Sequence, residues 1–128
     1  PVVLGTAGAV KPWEAASTAA KFVGVALREV KSATDYMNQN EGGYHKNEAV
    51  PVMKRGCVNV ICQNGTPAPG GKVYIRTVEN ESYPKAVIGG FEAAADTGKN
   101  VELTNAQWKG SADANGVAEM RILTILNA

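Results

Sequence analysis

From about residue 50 onward, apolar and polar positions alternate with a period of two in short runs separated by Gly, Asn, Asp and Pro. "VPVMKRG", "CVNVIC", "KVYIRTV", "KAVIGGF", "NVELT" and "GVAEMRILTIL" each carry this signature and predict β-strands. In "KVYIRTV", Val73, Ile75 and Thr77 fall on one face, and Tyr74, Arg76 and Val78 on the other. In the last run Ala118, Met120 and Ile122 oppose Glu119 and Arg121, after which Leu123 and Ile125 make both faces apolar. A strand apolar on both faces belongs inside a sheet or under a cover. Strands this short and this closely spaced predict an all-β fold, a small β-barrel or sandwich.

The first half has a different rhythm. "PWEAASTAAKF" places Pro12 for the first turn of a short helix or turn, with an alanine-rich body of about two turns. "KFVGVALREV" then alternates, which puts Val23, Val25 and Leu27 on one side of a strand. Residues 31–49 are polar, broken by glycine and without period. That exceeds the ~12–15 residues at which a structureless loop calls for a reason.

At 128 residues the chain has the size of one domain. Thirteen basic against twelve acidic residues remove any case for long-range steering toward nucleic acid or an anionic membrane. Lys54-Arg55 is a small basic cluster without interleaved aromatics and reads as a solvated corner. No apolar run approaches the roughly 20 residues that span a bilayer. Pro1 opens the chain without a methionine and is read as a processed start, although an amino-terminal proline amine is a conceivable nucleophile. Cys57 and Cys62 stand five apart in one strand run, on opposite faces and about 16 Å along it. A disulfide needs Cα atoms within about 7 Å, so these two cannot bridge each other or share a metal.

"GTPAPGGKVYIR" tests for a phosphate-gripping loop and fails. Gly71 intrudes before Lys72, Val73 stands where a hydroxyl is needed, and Pro67 and Pro69 lack amide donors. From Lys72 the chain alternates as a strand where a phosphate loop would open a helix, so the segment is a corner. His45 is the single histidine; Asp35, Glu41 and Glu48 are near in sequence but match no ligand spacing. No G-x-S-x-G elbow exists, and Glu79 and Glu81 border a turn where solvation suits them. The sequons at Asn64 and Asn80 are of a number that chance supplies. Trp108, before the turn Asp113-Ala114-Asn115-Gly116, suits a core lid, and Trp13 suits contact with a partner. The reading is of a non-enzyme with no catalytic residues, no cofactor and no metal site.

"KFVGVALREV", "AVPVMKRGCVNVIC", "PAPGGKVYIRT", "IGGFEAAAD" and "VELTNAQWKGSADANGVAEMRI", in that order over about residues 21–125, resemble the tailed-bacteriophage capsid decoration (structural cement) proteins. The shared positions are turns and core, so the resemblance speaks to fold more than to contacts. It implies a β-barrel or jelly-roll-like domain at 21–128; over residues 1–20 the resemblance fades, and the residues themselves read as an N-terminal arm and short helix or turn. It implies binding to the outer surface of an icosahedral head, with the major capsid protein as partner. It also implies assembly as a small homo-oligomer, a dimer before a trimer.

An extended N-terminal arm, "PVVLGTAGAVKP", reaches about 40 Å, enough to lie on a neighbour. Packing back on its own domain is the other placement, because Val2, Val3 and Leu4 need cover in either case. Candidate capsid contacts are these three, Trp13, and Tyr36, Met37, Tyr44 and His45 of the polar loop. If the arm reaches out, removing residues 1–12 weakens binding and leaves the domain folded. A carbohydrate-binding β-sandwich is the competing function and requires exposed aromatic platforms. An enzyme using Pro1 or His45 is the third.

Overall fold

A computed structural model describes residues 1–28 and 43–124. Every regular element among them is a strand or a short 3-10 turn. The strands are β1 (Val2–Leu4), β2 (Val10–Pro12), β3 (Phe22–Ala26), β4 (Val52–Met53), β5 (Gly56–Ile61), β6 (Lys72–Arg76), β7 (Phe91–Glu92), β8 (Asn100–Trp108) and β9 (Val117–Ile122). They form two antiparallel sheets, ordered β2-β1-β3-β4 and β5-β9-β8-β6-β7. Val3, Trp13, Phe22 and Val25 from the first half meet Val73, Ile75, Leu103, Trp108, Met120 and Ile122 of the second sheet in one core. The chain is thus all-β, as its pattern predicted, and its two sheets share one interior as in a β-sandwich.

The alternation of the final run holds: Ala118, Met120 and Ile122 are buried, and β9 lies inside the sheet between β5 and β8. The turn before it works as its residues suggest. The Asp113 carboxylate accepts the amides of Asn115 at 2.8 Å and Val117 at 2.9 Å, and Gly116 takes φ +78°. The "NVELT" strand runs on to Trp108, nine residues in all. "KAVIGGF" instead contributes to a strand only at its end, in β7; residues 83–90 make two tight turns.

Three expectations for the first half change. No α-helix starts at Pro12: that residue closes β2, opposite Val2, and Trp13 is drawn into the core. Two turns of helix carry little intrinsic stability, so burial of the indole decides. In β3 the buried set is Phe22, Gly24 and Val25, while Val23 is only half-buried. At this point a register irregularity interrupts the pairing of β1 with β3, and β4 packs closely on Gly24. A Cβ at Gly24 would stand 2.2 Å from the Met53 carbonyl oxygen. The leading segment takes the second of its two placements. It folds as the hairpin β1–β2 on its own domain, with Val3 only 1% exposed.

The second sheet nearly closes on itself. Beyond β5, the Gln63 amide donates to the Phe91 carbonyl and the Ala93 amide to the Asn64 carbonyl, both at 2.8 Å. Cys62 thereby bridges Phe91 in parallel, joining the first strand of the sheet to the last. Gly65 permits this approach: at φ +83° a Cβ there would lie 2.6 Å from the Ala94 nitrogen.

Beside the seam lies a buried ionic network. Arg76 of β6 and Glu92 of β7 have fully buried side chains, joined Nε to Oε1 at 2.6 Å. Arg76 Nη1 also donates to Asp96 at 3.0 Å and to the Val78 carbonyl at 3.2 Å. Asn100 donates to the second Glu92 oxygen at 2.6 Å and accepts the Asp96 amide at 2.9 Å. Asn80 completes the ring with a 2.8 Å bond to Asp96. Desolvation lowers the Arg76 pKa, but Glu92 and Asp96 together outweigh it and hold the guanidinium above its ordinary value. The hydrogen bond from Asn80 leads the causes that hold Asp96 below the ordinary carboxylate range, with Arg76 adding to it against some desolvation.

Removing one member of such a pair strands a buried charge. Arg76→Met is therefore expected to cost about 3–5 kcal/mol of unfolding free energy. Lys72→Met, which breaks only the exposed 3.1 Å pair with Glu102, should cost under about 1 kcal/mol; equal urea midpoints for the two variants would contradict the network's role. Because the Asp96 pKa is depressed on folding, its contribution is complete above its unfolded pKa of roughly 3.9 and lost as pH falls through the folded value. Stability measured from pH 6 to 3 should decline in that acid window, and less steeply in Asp96→Asn. Deleting residues 1–12 removes β1 and β2 with their buried valines. It should lower the melting temperature of the free chain, which a detachable arm would leave unchanged.

Candidate interaction surfaces

The first sheet supplies one surface. A groove of about 980 Å³ runs between the β1–β2 hairpin, the ends of β3 and β4, and residues 44–48. Val2, Tyr44 and His45, three of the predicted contacts, line it together with Lys11, Glu48 and Lys54. The Tyr44 hydroxyl donates to the Leu27 carbonyl, which ties this wall to the end of β3. The Glu48 carboxylate accepts the His45 amide at 2.7 Å, closing a turn. The lining thus mixes valines, alanines and Pro12 with Lys11, Lys46 and Lys54 against the single carboxylate of Glu48. Among the described residues no three of His, Cys, Asp and Glu come together as a metal site.

The other predicted contacts part company. Leu4 stands 45% exposed on β1, whereas Val3 and Trp13 are core residues. Tyr36 and Met37 lie outside the described residues. With Trp108 1% and Trp13 6% exposed, neither indole offers the platform that a carbohydrate-binding module needs. The corner at 65–71 is confirmed as a corner: the Gly70 amide donates to the Trp108 carbonyl and the Gly71 amide to that of Ala68, leaving neither for a phosphate. Glu79 and Glu81 are exposed, and the Asn80 amide is engaged by Asp96. Both cysteines are free.

The second sheet supplies a surface that sequence reasoning missed, the outer edge of β5. Cys62 donates its amide to Gly116, and Lys109 donates to Glu119, both toward β9. Antiparallel alternation then turns the backbone groups of Gly56, Val58 and Val60 toward β9, and those of Cys57, Asn59 and Ile61 away from it. Gln63, next in that outward series, donates to Phe91 at the seam, as the alternation requires. Among the described residues nothing pairs with this edge from Cys57 to Val60, and at Ile61 only the carbonyl is engaged, by the bridge of Cys62 to Phe91. Ile61 is 62% exposed there, as is Val87, whose backbone the Gln63 side chain grips. Lys54, Arg55 and Arg121 surround the start of the strand, exposed and outside the ion pairs of the described residues. The neighbouring Lys109 is paired with Glu119 and Lys72 with Glu102, whose hydrogen bond raises the Lys72 pKa. The detectable signal in sequence was the run "GCVNVI", free of charge and proline, directly after "KR".

No curated protein matches the chain. The sequence pattern of one family, described as Structural cement protein (E217 gp24/Pam3 gp6), matches residues 1–123. That span covers both sheets and leaves out only the last five positions. With its all-β, two-sheet body and near-complete match, the chain belongs to the phage structural cement proteins, which makes it a structural component of the virion that associates with capsid proteins on the outside of the shell.

Proposed function

We propose that this protein bridges neighbouring major capsid protein subunits on a tailed-phage icosahedral head and holds the shell against the outward pressure of its packaged genome. Its work is mechanical, with no catalytic step, and its working unit is a small homo-oligomer, a dimer before a trimer. The observation that carries the reading is the family match across residues 1–123. The physics is consistent with it. A packed genome loads the seams between coat subunits, and a ligand that binds only the assembled state stabilises that state by mass action. Repetition over a lattice multiplies modest affinities. A rigid two-sheet body suits a brace, and a net charge of +1 suits a shell exterior better than DNA.

Leu4 and the groove of Val2, Tyr44 and His45 are the candidate contacts in this reading. Heads stripped of the protein should release DNA at a lower temperature, and adding back the purified chain should restore the wild-type value. Leu4→Asp, at a position 45% exposed, should reduce occupancy on heads without changing the melting of the free chain. Release temperatures indifferent to add-back would overturn the proposal.

A further inference from the structure

Exposed strand edges are hazardous, because a row of unpaired N–H and C=O groups templates pairing with another chain. Proteins usually blunt them with proline, with charges inside the strand, or with very short strands. The other edges here follow that practice: β2 ends in Lys11-Pro12, β4 has two residues, and β7 has two and is used at the seam. β5 has six residues, no proline and no charge within it, and an isoleucine standing largely in solvent. Its blunting is missing, while its ends are anchored by the β9 ladder and the Gln63–Phe91 bond.

We propose that the outer edge of β5 receives an extended, carboxylate-bearing segment of the coat protein as an added strand. This rests on the capsid-binding reading above and names the contact through which it operates. Three amides, from Cys57, Asn59 and Ile61, and two carbonyls, from Cys57 and Asn59, face outward at strand spacing and are met by the backbone of the incoming segment, the Ile61 carbonyl being taken up in the bridge to Phe91. Charge selects the occupant. Lys54, Arg55 and Arg121 leave a surplus of cations at the Gly56 end, where a carboxylate of the segment binds. Ile61 and Val87 take an apolar side chain at the other end. A second copy of this chain brings no carboxylate to that site: in antiparallel β5–β5 pairing about Asn59, Arg55 stands opposite Gln63 and Lys54 opposite Asn64 of the other strand.

The test uses the full chain and purified heads stripped of it. Asn59→Pro removes an amide that faces away from β9, a place where an edge strand tolerates proline, and it blocks an added strand. Its melting should be close to wild type and its affinity for heads at least tenfold weaker. The paired variant Arg55→Glu/Arg121→Glu leaves the backbone untouched and should weaken binding similarly. Hydrogen exchange reads the contact directly. The Asn59 and Ile61 amides should exchange fast in the free chain and at least tenfold slower on heads, while the Val58 amide is slow in both. Wild-type binding, with both variants binding equally well and those amides still exchanging fast, overturns the edge contact and leaves the capsid-binding reading intact. Failure of the wild-type chain to bind heads overturns both. Protection of the same amides in a dimer of the free chain assigns the edge to a second copy and overturns the proposal.

Discussion

The ion pair between Arg76 and Glu92 sets the terms for the rest of the second sheet. Both side chains have left water entirely, which costs several kcal/mol per charge unless every lone pair and N–H is answered. Answering them recruits distant parts of the chain. Nε takes Glu92, Nη1 takes Asp96 and the Val78 carbonyl, and Asn100 takes the second Glu92 oxygen. Nη2 has no acceptor among the described residues, but the guanidinium carbon stands 5.8 Å from the centroid of the Tyr83 ring, whose negative face meets the charge. The positions of β6, β7, the 94–99 turn and the start of β8 are thus one solution to one electrostatic problem. Shifting any of these elements leaves a buried charge unanswered.

This explains how a two-residue strand can close a sheet. β7 alone has too few ladder bonds to hold an edge, but Glu92 is locked from beneath and Phe91 is buried in the core. With β7 fixed, the peptide bonds at Phe91 and Ala93 are in place to meet Gln63 and Asn64. The seam therefore depends on the ion pair, and the rigidity of β5 depends on the seam at one end and on β9 along its length. An edge held this firmly presents its outward groups in fixed register, so a partner strand meets no ordering cost on this side.

How much of this a reader of the sequence can recover depends on how local the cause is. The alternation of Ala118, Met120 and Ile122 and the Asp113–Gly116 turn are written within a few residues, and they appear as written. Arg76 also falls on the predicted face, away from Val73 and Ile75. Its burial does not show, because the acid that permits it comes 16 residues later, and local alternation does not pair the two. The burial of Gly24 in β3 is hidden for the same reason: what packs on it is Met53, across a segment of more than twenty residues. "VVL" at the start calls for burial but cannot say against whom, and the β5 edge depends on strand order, which local patterns do not encode. Of the predicted contacts, Val2 joins the neighbours Tyr44 and His45 on one groove because β1 returns to its own sheet.

The groove and the β5 edge belong to different sheets, yet they adjoin. Lys54 lines the groove, Arg55 comes next in the chain, and Gly56 begins β5. Each surface is anchored to the same core, the groove through Val2, Val3 and Val25, the edge through the β9 ladder onto Met120 and Ile122. A partner engaging both would load the interior between the sheets. Close-packed interiors have low compressibility and transmit strain instead of absorbing it. Two separate footholds on flexible segments would let coat subunits drift apart before resisting. Two footholds joined through one packed core would resist from the first displacement, which is the mechanical property that the proposed bracing of a pressurised shell requires.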